Sequence, residues 1–194
     1  MGTAKQLLPV ADRPAVVRCT ESIRDSGVDN IVVVVNPEGN EIVRVLKDFP
    51  VTIAVNDLPE GDMASSVRVG LNVINDSSTG IFICLCDYPL ATSATLSAMS
   101  REHNVRSDAI IIPTFQGRRG HPTLFPRFIL EEVKKHPTLR DVISSHKDKI
   151  FFFSVADEGV VLDMNTPEEY QKILERCWLV TLRRRINEVL IENR

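Results

Sequence analysis

Short runs of apolar residues recur along the chain, and each closes on a polar residue or a turn. They are IVVVVN (Ile31 to Asn36), VTIAVN (Val51 to Asn56), IFICLCD (Ile81 to Asp87), AIIIPTF (Ala109 to Phe115) and IFFFSV (Ile150 to Val155). These runs are continuous rather than alternating, which is how strands buried on both faces read. Between them, apolar positions recur at helical spacing. Pro14 to Ser26 has proline at a helix start and Gly27 where a helix stops. Glu41 to Phe49 puts Ile42, Val45, Leu46 and Phe49 on one face, and Met63 to Ile74 does the same with Val67, Leu71 and Ile74. Thr92 to His103, Arg127 to His136 and Leu139 to His146 complete the helical candidates. Strands alternating with helices predict an α/β fold, a mostly parallel sheet covered by helices on both faces.

The last part of the chain carries a helix-start signal. In Thr166-Pro167-Glu168-Glu169, Thr166 can cap, Pro167 suits the first helical position and Glu169 completes a capping box. Tyr170, Ile173, Leu174, Cys177 and Trp178 follow at helical spacing. In TLRRRINEVLIENR, Leu182, Ile186, Val189 and Leu190 share a face, and Arg183 to Arg185 read as a solvated one. The expected organisation is one domain over residues 1–175 and a helical extension over 176–194.

Composition narrows the class. The 194 residues carry 23 Lys and Arg against 26 Asp and Glu, a net charge of −3, so there is no basic footprint for nucleic acid. A chain of this length needs no disulfide or metal staple to bury a core. Cys19, Cys84, Cys86 and Cys177 form no CxxC pair, and Cys84 and Cys86 sit inside an apolar run, so buried thiols are expected. No apolar run approaches the roughly 18–20 residues of a membrane span, and MGTAKQLLPVADRP lacks a signal peptide's apolar core. The expectation is a cytoplasmic protein with no membrane and no nucleic-acid partner.

In open α/β sheets ligands sit beyond the carboxyl ends of the strands. Asn36, Asn56 and Asp87 end the first three runs, and Asp163 and Asn165 follow the last. Asp87 precedes Tyr88-Pro89, which forces a turn. Its carboxylate is a hard oxygen ligand suited to Mg²⁺ holding phosphates, or a turn and cap residue. Asp163 and Asn165 lie on one side if the segment is extended and could complete a metal shell, or they belong to the turn before the capped helix. Lys5 could neutralise a triphosphate as a point charge, although neither GxxxxGK[ST] nor GxGxxG occurs. Gly61 to Ser66 leads into a helix whose N-terminus could receive an anion with Arg68 assisting, or is simply capped by Asp62 or Ser65. Gly117-Arg118-Arg119-Gly120-His121-Pro122 suits an anionic substrate, or a solvated hairpin loop. His103, His136 and His146 show no ligand pattern and read as surface or capping residues. No GxSxG elbow accompanies His121, which argues against a serine hydrolase.

Taken in order, MGxxKQLLPV, NxxxxGxMxxSVxxGL, LCDYPL, PTFxGRRGHPTLF and GVVLDMNTPEEY make the chain resemble the molybdenum cofactor nucleotidyltransferases, the MobA-like NTP transferases. The resemblance runs from Met1 to about Tyr170 and is nearest the cytidylyltransferase branch. It implies a Rossmann-like nucleotidyltransferase fold and transfer of a nucleoside monophosphate from an NTP, with CTP the leading co-substrate. The acceptor would be a molybdopterin-type phosphate, with pyrophosphate released, Mg²⁺ as cofactor and a molybdoenzyme as the partner receiving the product. It implies that Asp87 binds Mg²⁺, with Asp163 and Asn165 in the metal shell. Lys5 would touch the triphosphate, and Gly2, Asn56, Gly61 and Ser66 would lie near the nucleotide. Arg119, Gly120, His121 and Pro122 would lie near the acceptor. Two departures stand out. The cytidylyl branch carries Asp where Asn165 stands, and Asn belongs to the guanylyl branch. The family's signature also has a buried strand and glycine-rich loop before Met-Gly; without them, neighbouring strand edges are expected to be unpaired and phosphate-facing amides to be missing. The rival readings are a sugar-phosphate or other alcohol-phosphate nucleotidyltransferase, and a non-catalytic cofactor-binding or maturation protein.

Overall fold

The structure is a computed structural model that describes residues 4–58 and 61–178. Gly2 and the apolar stripe expected over Leu182 to Leu190 lie outside the described residues. A 3-10 turn over Lys5–Leu7 leads into a short hairpin of β1 (Pro9–Val10) and β2 (Arg13–Pro14), then α1 (Ala15–Asp25). Next come β3 (Val32–Val35), α2 (Asn40–Val45), β4 (Thr52–Val55), α3 (Met63–Leu71), β5 (Gly80–Ile83) and α4 (Ser93–Val105). The second half holds β6 (Ile110–Phe115), β7 (Arg118–Arg119), β8 (Thr123–Pro126), α5 (Arg127–Leu130), α6 (Leu139–Ser145) and β9 (Ile150–Ser154). Residues 167–178 are helical.

The expected runs become strands because their β-branched residues can be buried on both faces. In β6, Ile110 and Ile112 pack against Ala64 and Leu71 of α3, Ile129 and Leu130 of α5 and Val142 of α6. Ile111, between them, turns to the opposite face and meets Met99 of α4 and Phe151 and Phe153 of β9. The period of two thus clothes both faces of one sheet with helices. Ile110, Ile111, Met99, Ile129 and Leu130 are fully buried, each contributing about 1.5–3 kcal/mol of transfer free energy.

Sheet pairing is mixed. β9 pairs parallel with β6, and β3 pairs parallel with β4. β8 lies antiparallel between β5 and β6, with Ile81 opposite Phe125 and Ile111 opposite Leu124. The sequence does not announce β8, because Thr123-Leu-Phe-Pro126 is short and ends in a residue that lacks a ladder donor. Pro126 sits at the strand's last position, and the next amide, Arg127 N–H, donates to the Thr79 carbonyl (2.8 Å). The β6–β7 hairpin turns through Gln116 and Gly117, both in the left-handed region (φ 49° and 78°), as a type I′ turn requires.

β3 and β4 form a two-stranded sheet of their own, and β5 pairs only with β8, so β3 and β5 each keep one unpaired edge among the described residues. The β3–β4 pair is instead held by side chains: Val33 and Ile53 pack with Val16 and Val17 of α1, with Leu46 and with Cys86.

The capping box forms as predicted. Glu169 N–H donates to Thr166 Oγ1 (3.2 Å), and Thr166 N–H donates to Glu169 Oε2 (2.9 Å). Ile173 and Cys177 of that helix are buried with Val10 and Met164, and the Tyr170 hydroxyl donates to the Pro9 carbonyl. His103, expected as a surface or capping residue, is buried in the last turn of α4, and its Nε2 lies 3.4 Å from Thr79 Oγ1. Burial pushes its imidazole below the ordinary pKa. Cys19, Cys84 and Cys86 are free thiols. No described helix is long and apolar enough to cross a membrane.

Candidate active site

Three loops meet at the carboxyl end of β5. The first runs from Cys84 through Asp87 to Thr92. The second is the Arg119-Gly120-His121-Pro122 turn, and the third leads from Asp157 through Asp163 to Asn165. Backbone bonds lace them together. Met164 N–H donates to the Asp87 carbonyl (3.0 Å), and His121 N–H donates to the Val160 carbonyl (2.8 Å). Two glycines permit the closeness: a Cβ on Gly120 would stand 2.1 Å from the Val160 oxygen, and one on Gly159 would stand 2.1 Å from the Leu90 oxygen. These positions take glycine because backbone meets backbone there.

The lacing brings Asp163, His121 and Lys5 within electrostatic reach of Asp87, and Asp163 within reach of His121. Burial pushes the Asp87 carboxyl above its ordinary pKa. The Asp163 carboxylate pushes the same way, while His121 and Lys5 oppose it. Burial also lowers the pKa of His121, against the pull of Asp87 and Asp163, and favours the neutral ring. That ring packs on Tyr88 with centroids 4.7 Å apart and planes tilted by 45°. Its Nδ1 is buried and has no hydrogen-bond partner among the described residues.

Asn165 bridges two of the expected groups. Its Nδ2 donates to Asp163 Oδ2 (2.6 Å), and its Oδ1 accepts from Lys5 Nζ (3.2 Å). Its side-chain oxygen is therefore engaged with the lysine. No cluster of three or more His, Cys, Asp or Glu side chains poised for a metal occurs among the described residues. The chemistry available is two converging carboxylates, which suits a hard cation that keeps waters and takes its remaining ligands from phosphates.

A second group forms at the end of β4. The buried Asn56 donates through Nδ2 to Ser65 Oγ (2.8 Å) and Ser66 Oγ (3.1 Å), and accepts from Leu58 N–H at Oδ1 (3.3 Å). A Cβ on Gly61 would stand 2.5 Å from Asn56 Nδ2, so glycine allows the loop to close over the amide. Asn56, Gly61 and Ser66 are thus brought together. Asp62 caps α3, accepting from Ser65 N–H at 2.8 Å, and that bond holds its carboxyl below the ordinary range. Arg68 does not serve an anion there. Its guanidinium donates to the carbonyls of Val133 (2.9 Å) and His136 (2.8 Å), tying α3 to the segment after α5. The Arg119 guanidinium lies over the Phe152 ring, 4.6 Å from its centroid, while Gly120 and His121 join the three-loop cluster.

Sequence reasoning missed Tyr88 as a ring partner and Ser65 as the nearer Asn56 contact. Both adjoin residues it did single out. It also missed the carboxylate of Asp157, which stands outside every motif and is bonded to Thr92 and Thr95, far away along the chain.

Comparisons with known proteins show the family and the fold. The MobA-like NTP transferase domain model matches residues 1–150. The bifunctional protein GlmU of Paramagnetospirillum magneticum is 26% identical over 113 residues, 58% of this chain, and the chain spans about a quarter (24%) of that relative's length. The crystal structure of Rv0371c from Mycobacterium tuberculosis superposes with a TM-score of 0.76 at 25% identity, covering 90% of this chain and 91% of that one. Its manganese complex superposes with a TM-score of 0.73 at 24% identity, covering 90% and 93%. The nucleotidyl transferase Mth528 from Methanothermobacter shares the fold at 16% identity, with a TM-score of 0.76 and coverage of 92% and 87%. With the family model spanning most of its length and the Rossmann-like nucleotidyltransferase fold carrying its carboxylates beyond the strand ends, the chain belongs to the MobA-like NTP transferase family of nucleotidyltransferases.

Proposed function

We propose that the chain transfers CMP from CTP to the terminal phosphate of a molybdopterin-type cofactor, releasing pyrophosphate. The observation that carries this reading is the lacing of three loops: the Asp87 carbonyl holds the Met164 amide next to Asp163, Asn165 joins Asp163 to Lys5, and the Val160 carbonyl holds the His121 amide. Two carboxylates drawn into a half-buried site repel each other unless a cation joins them. The donor set fits a divalent ion of the Mg²⁺ type, and the manganese complex of Rv0371c is consistent with that class of metal. Asp87 and Asp163 would hold the ion, and when bound it would supply positive charge to the triphosphate.

The chain's own groups do the rest. Lys5 offers a point charge to the phosphates. Asn56, Gly61 and Ser66 shape the nucleotide end. At the acceptor end stands His121, whose buried Nδ1 has no hydrogen-bond partner among the described residues. An acceptor phosphate oxygen attacks the α-phosphorus in line, and the bond to the pyrophosphate oxygen breaks as the new one forms. Such a reaction needs positioning and charge neutralisation rather than a protein nucleophile. The cofactor so formed would pass to a molybdoenzyme.

The test is pyrophosphate release from CTP, GTP, ATP and UTP with Mg²⁺, using a molybdopterin-type acceptor in one arm and glucose 1-phosphate in the other. The reading expects release with CTP and the pterin-type acceptor, lost in Asp87→Ala. Release only with glucose 1-phosphate would give the chain a sugar-phosphate acceptor instead. Cofactor binding that survives Asp87→Ala with no release would make it a binding protein.

A further inference from the structure

Asp157 stands outside every motif of the family resemblance, yet its carboxylate accepts four hydrogen bonds. Oδ2 takes the Thr92 N–H (2.9 Å), the Thr92 hydroxyl (2.8 Å) and the Thr95 hydroxyl (2.7 Å), and Oδ1 takes the Gly159 N–H (2.9 Å). Thr92 is the N-cap of α4 and the last residue of the loop that begins at Asp87. Gly159 opens the segment that ends at Asp163 and Asn165. One carboxylate therefore clamps the far ends of the two loops that bear the converging acids.

The clamp is transmitted over short distances. Gly159 lies against the Leu90 carbonyl too closely for a Cβ, the Val160 carbonyl holds the His121 amide, and the Asp87 carbonyl holds the Met164 amide. Only five residues separate Asp157 from Asp163. If Oδ1 and Oδ2 release their donors, Thr92 and Gly159 can part, and the spacing of Asp87 and Asp163 is no longer fixed. Bonds from several donors to an ionised carboxylate are the strong kind, and Asp157 also faces the favourable end of α4.

We propose that Asp157 is a positioning residue of the transferase site: its carboxylate sets the Asp87–Asp163 spacing and so the affinity for the divalent cation. The inference rests on the reading of Asp87 and Asp163 as the cation's ligands. Its test is a Mn²⁺ titration of the full chain without nucleotide, followed by electron paramagnetic resonance of the unbound ion, well below each variant's melting temperature. Outer ligand supports typically contribute about 10–100-fold to metal affinity. Asp157→Ala, which loses all four bonds, is expected to weaken Mn²⁺ binding about tenfold. Asp157→Asn keeps an oxygen toward the threonines and gives up the Gly159 bond, so it is expected to fall between Asp157→Ala and the parent. It also serves if the alanine variant does not fold. Glu158→Gln, which removes the charge that faces Arg176 in the same turn, should leave Mn²⁺ affinity unchanged. Parent-like affinity in both Asp157 variants, with binding abolished in Asp87→Ala, would overturn the positioning role alone. Binding that persists in Asp87→Ala would overturn the cation site itself and this inference with it.

Discussion

The molecule has two unequal halves. Around β6, a five-stranded sheet is covered on both faces, and Ile110, Ile111 and Ile129 are sealed from solvent. Around β3, two strands lean on α1 and Leu46, and Val32, Val33 and Val34 remain partly exposed. The loops of Asp87, His121 and Asp163 all border the first half and are laced to one another. The Asn56–Ser66 group springs from β4, in the second. The difference teaches how the site divides: its charged end is seated on the tighter half, and the Asn56–Ser66 group, which we propose shapes the nucleotide end, on the half whose sheet is separate.

The strongest way to break this comparison is through the charged end. Asp87→Asn should lower nucleotidyl transfer by about 10²–10³-fold or more while leaving the circular dichroism spectrum unchanged. A comparable loss in Asn56→Ala, without loss of Mn²⁺ binding, would show the two ends to be separable.

The next test compares the halves directly. Ile111→Ala is expected to cost about 2–5 kcal/mol in denaturant unfolding, whereas Val33→Ala, at a partly exposed strand, should cost at most about 1.5 kcal/mol. Amide hydrogen exchange should be faster through Val32–Val35 than through Ile110–Thr114, because an unpaired edge opens locally. Equal protection of the two strands would abolish the distinction.

Gly120→Ala probes the lacing at smaller cost. Its Cβ would meet the Val160 carbonyl, and forcing the loops apart should destabilise by about 1–3 kcal/mol and weaken Mn²⁺ binding together.

The smallest effect is on pH dependence. The Asp87 carboxyl, raised chiefly by burial, contributes stability that is present below its unfolded pKa and lost as pH rises through its folded pKa. A divalent cation should offset that loss. The rise in melting temperature on adding Mn²⁺ is therefore expected to be larger at pH 7.5 than at pH 4.5. His103 acts in the opposite direction. Its pKa is depressed by burial, so stability is complete above about 6.5, the ordinary imidazole value, and declines as pH falls.

Much of this was legible in the sequence. The five apolar runs all became strands, since short β-branched stretches between polar ends have few other ways to be buried. The Thr166–Glu169 box formed because both of its partners are local. β8 was not legible, since its pairing depends on partners, Ile81 and Ile111, that are distant along the chain. IFICLCD also runs past its strand: β5 stops at Ile83, and Cys84 to Asp87 turn into the site. At the site, Asp87 and His121 stood out because their neighbours, Tyr88-Pro89 and Gly120, mark sharp turns. The aim of Arg68 and Arg119 was not readable, because a guanidinium's partner is chosen by tertiary packing. Asp157 was silent for the same reason.

The central claim is that Asp87 and Asp163 hold one divalent cation for nucleotidyl transfer. Counting Mn²⁺ bound per chain by electron paramagnetic resonance tests it most directly. The account predicts one site in the parent, none in Asp87→Asn, and one in Asn56→Ala. Full occupancy in Asp87→Asn would contradict it.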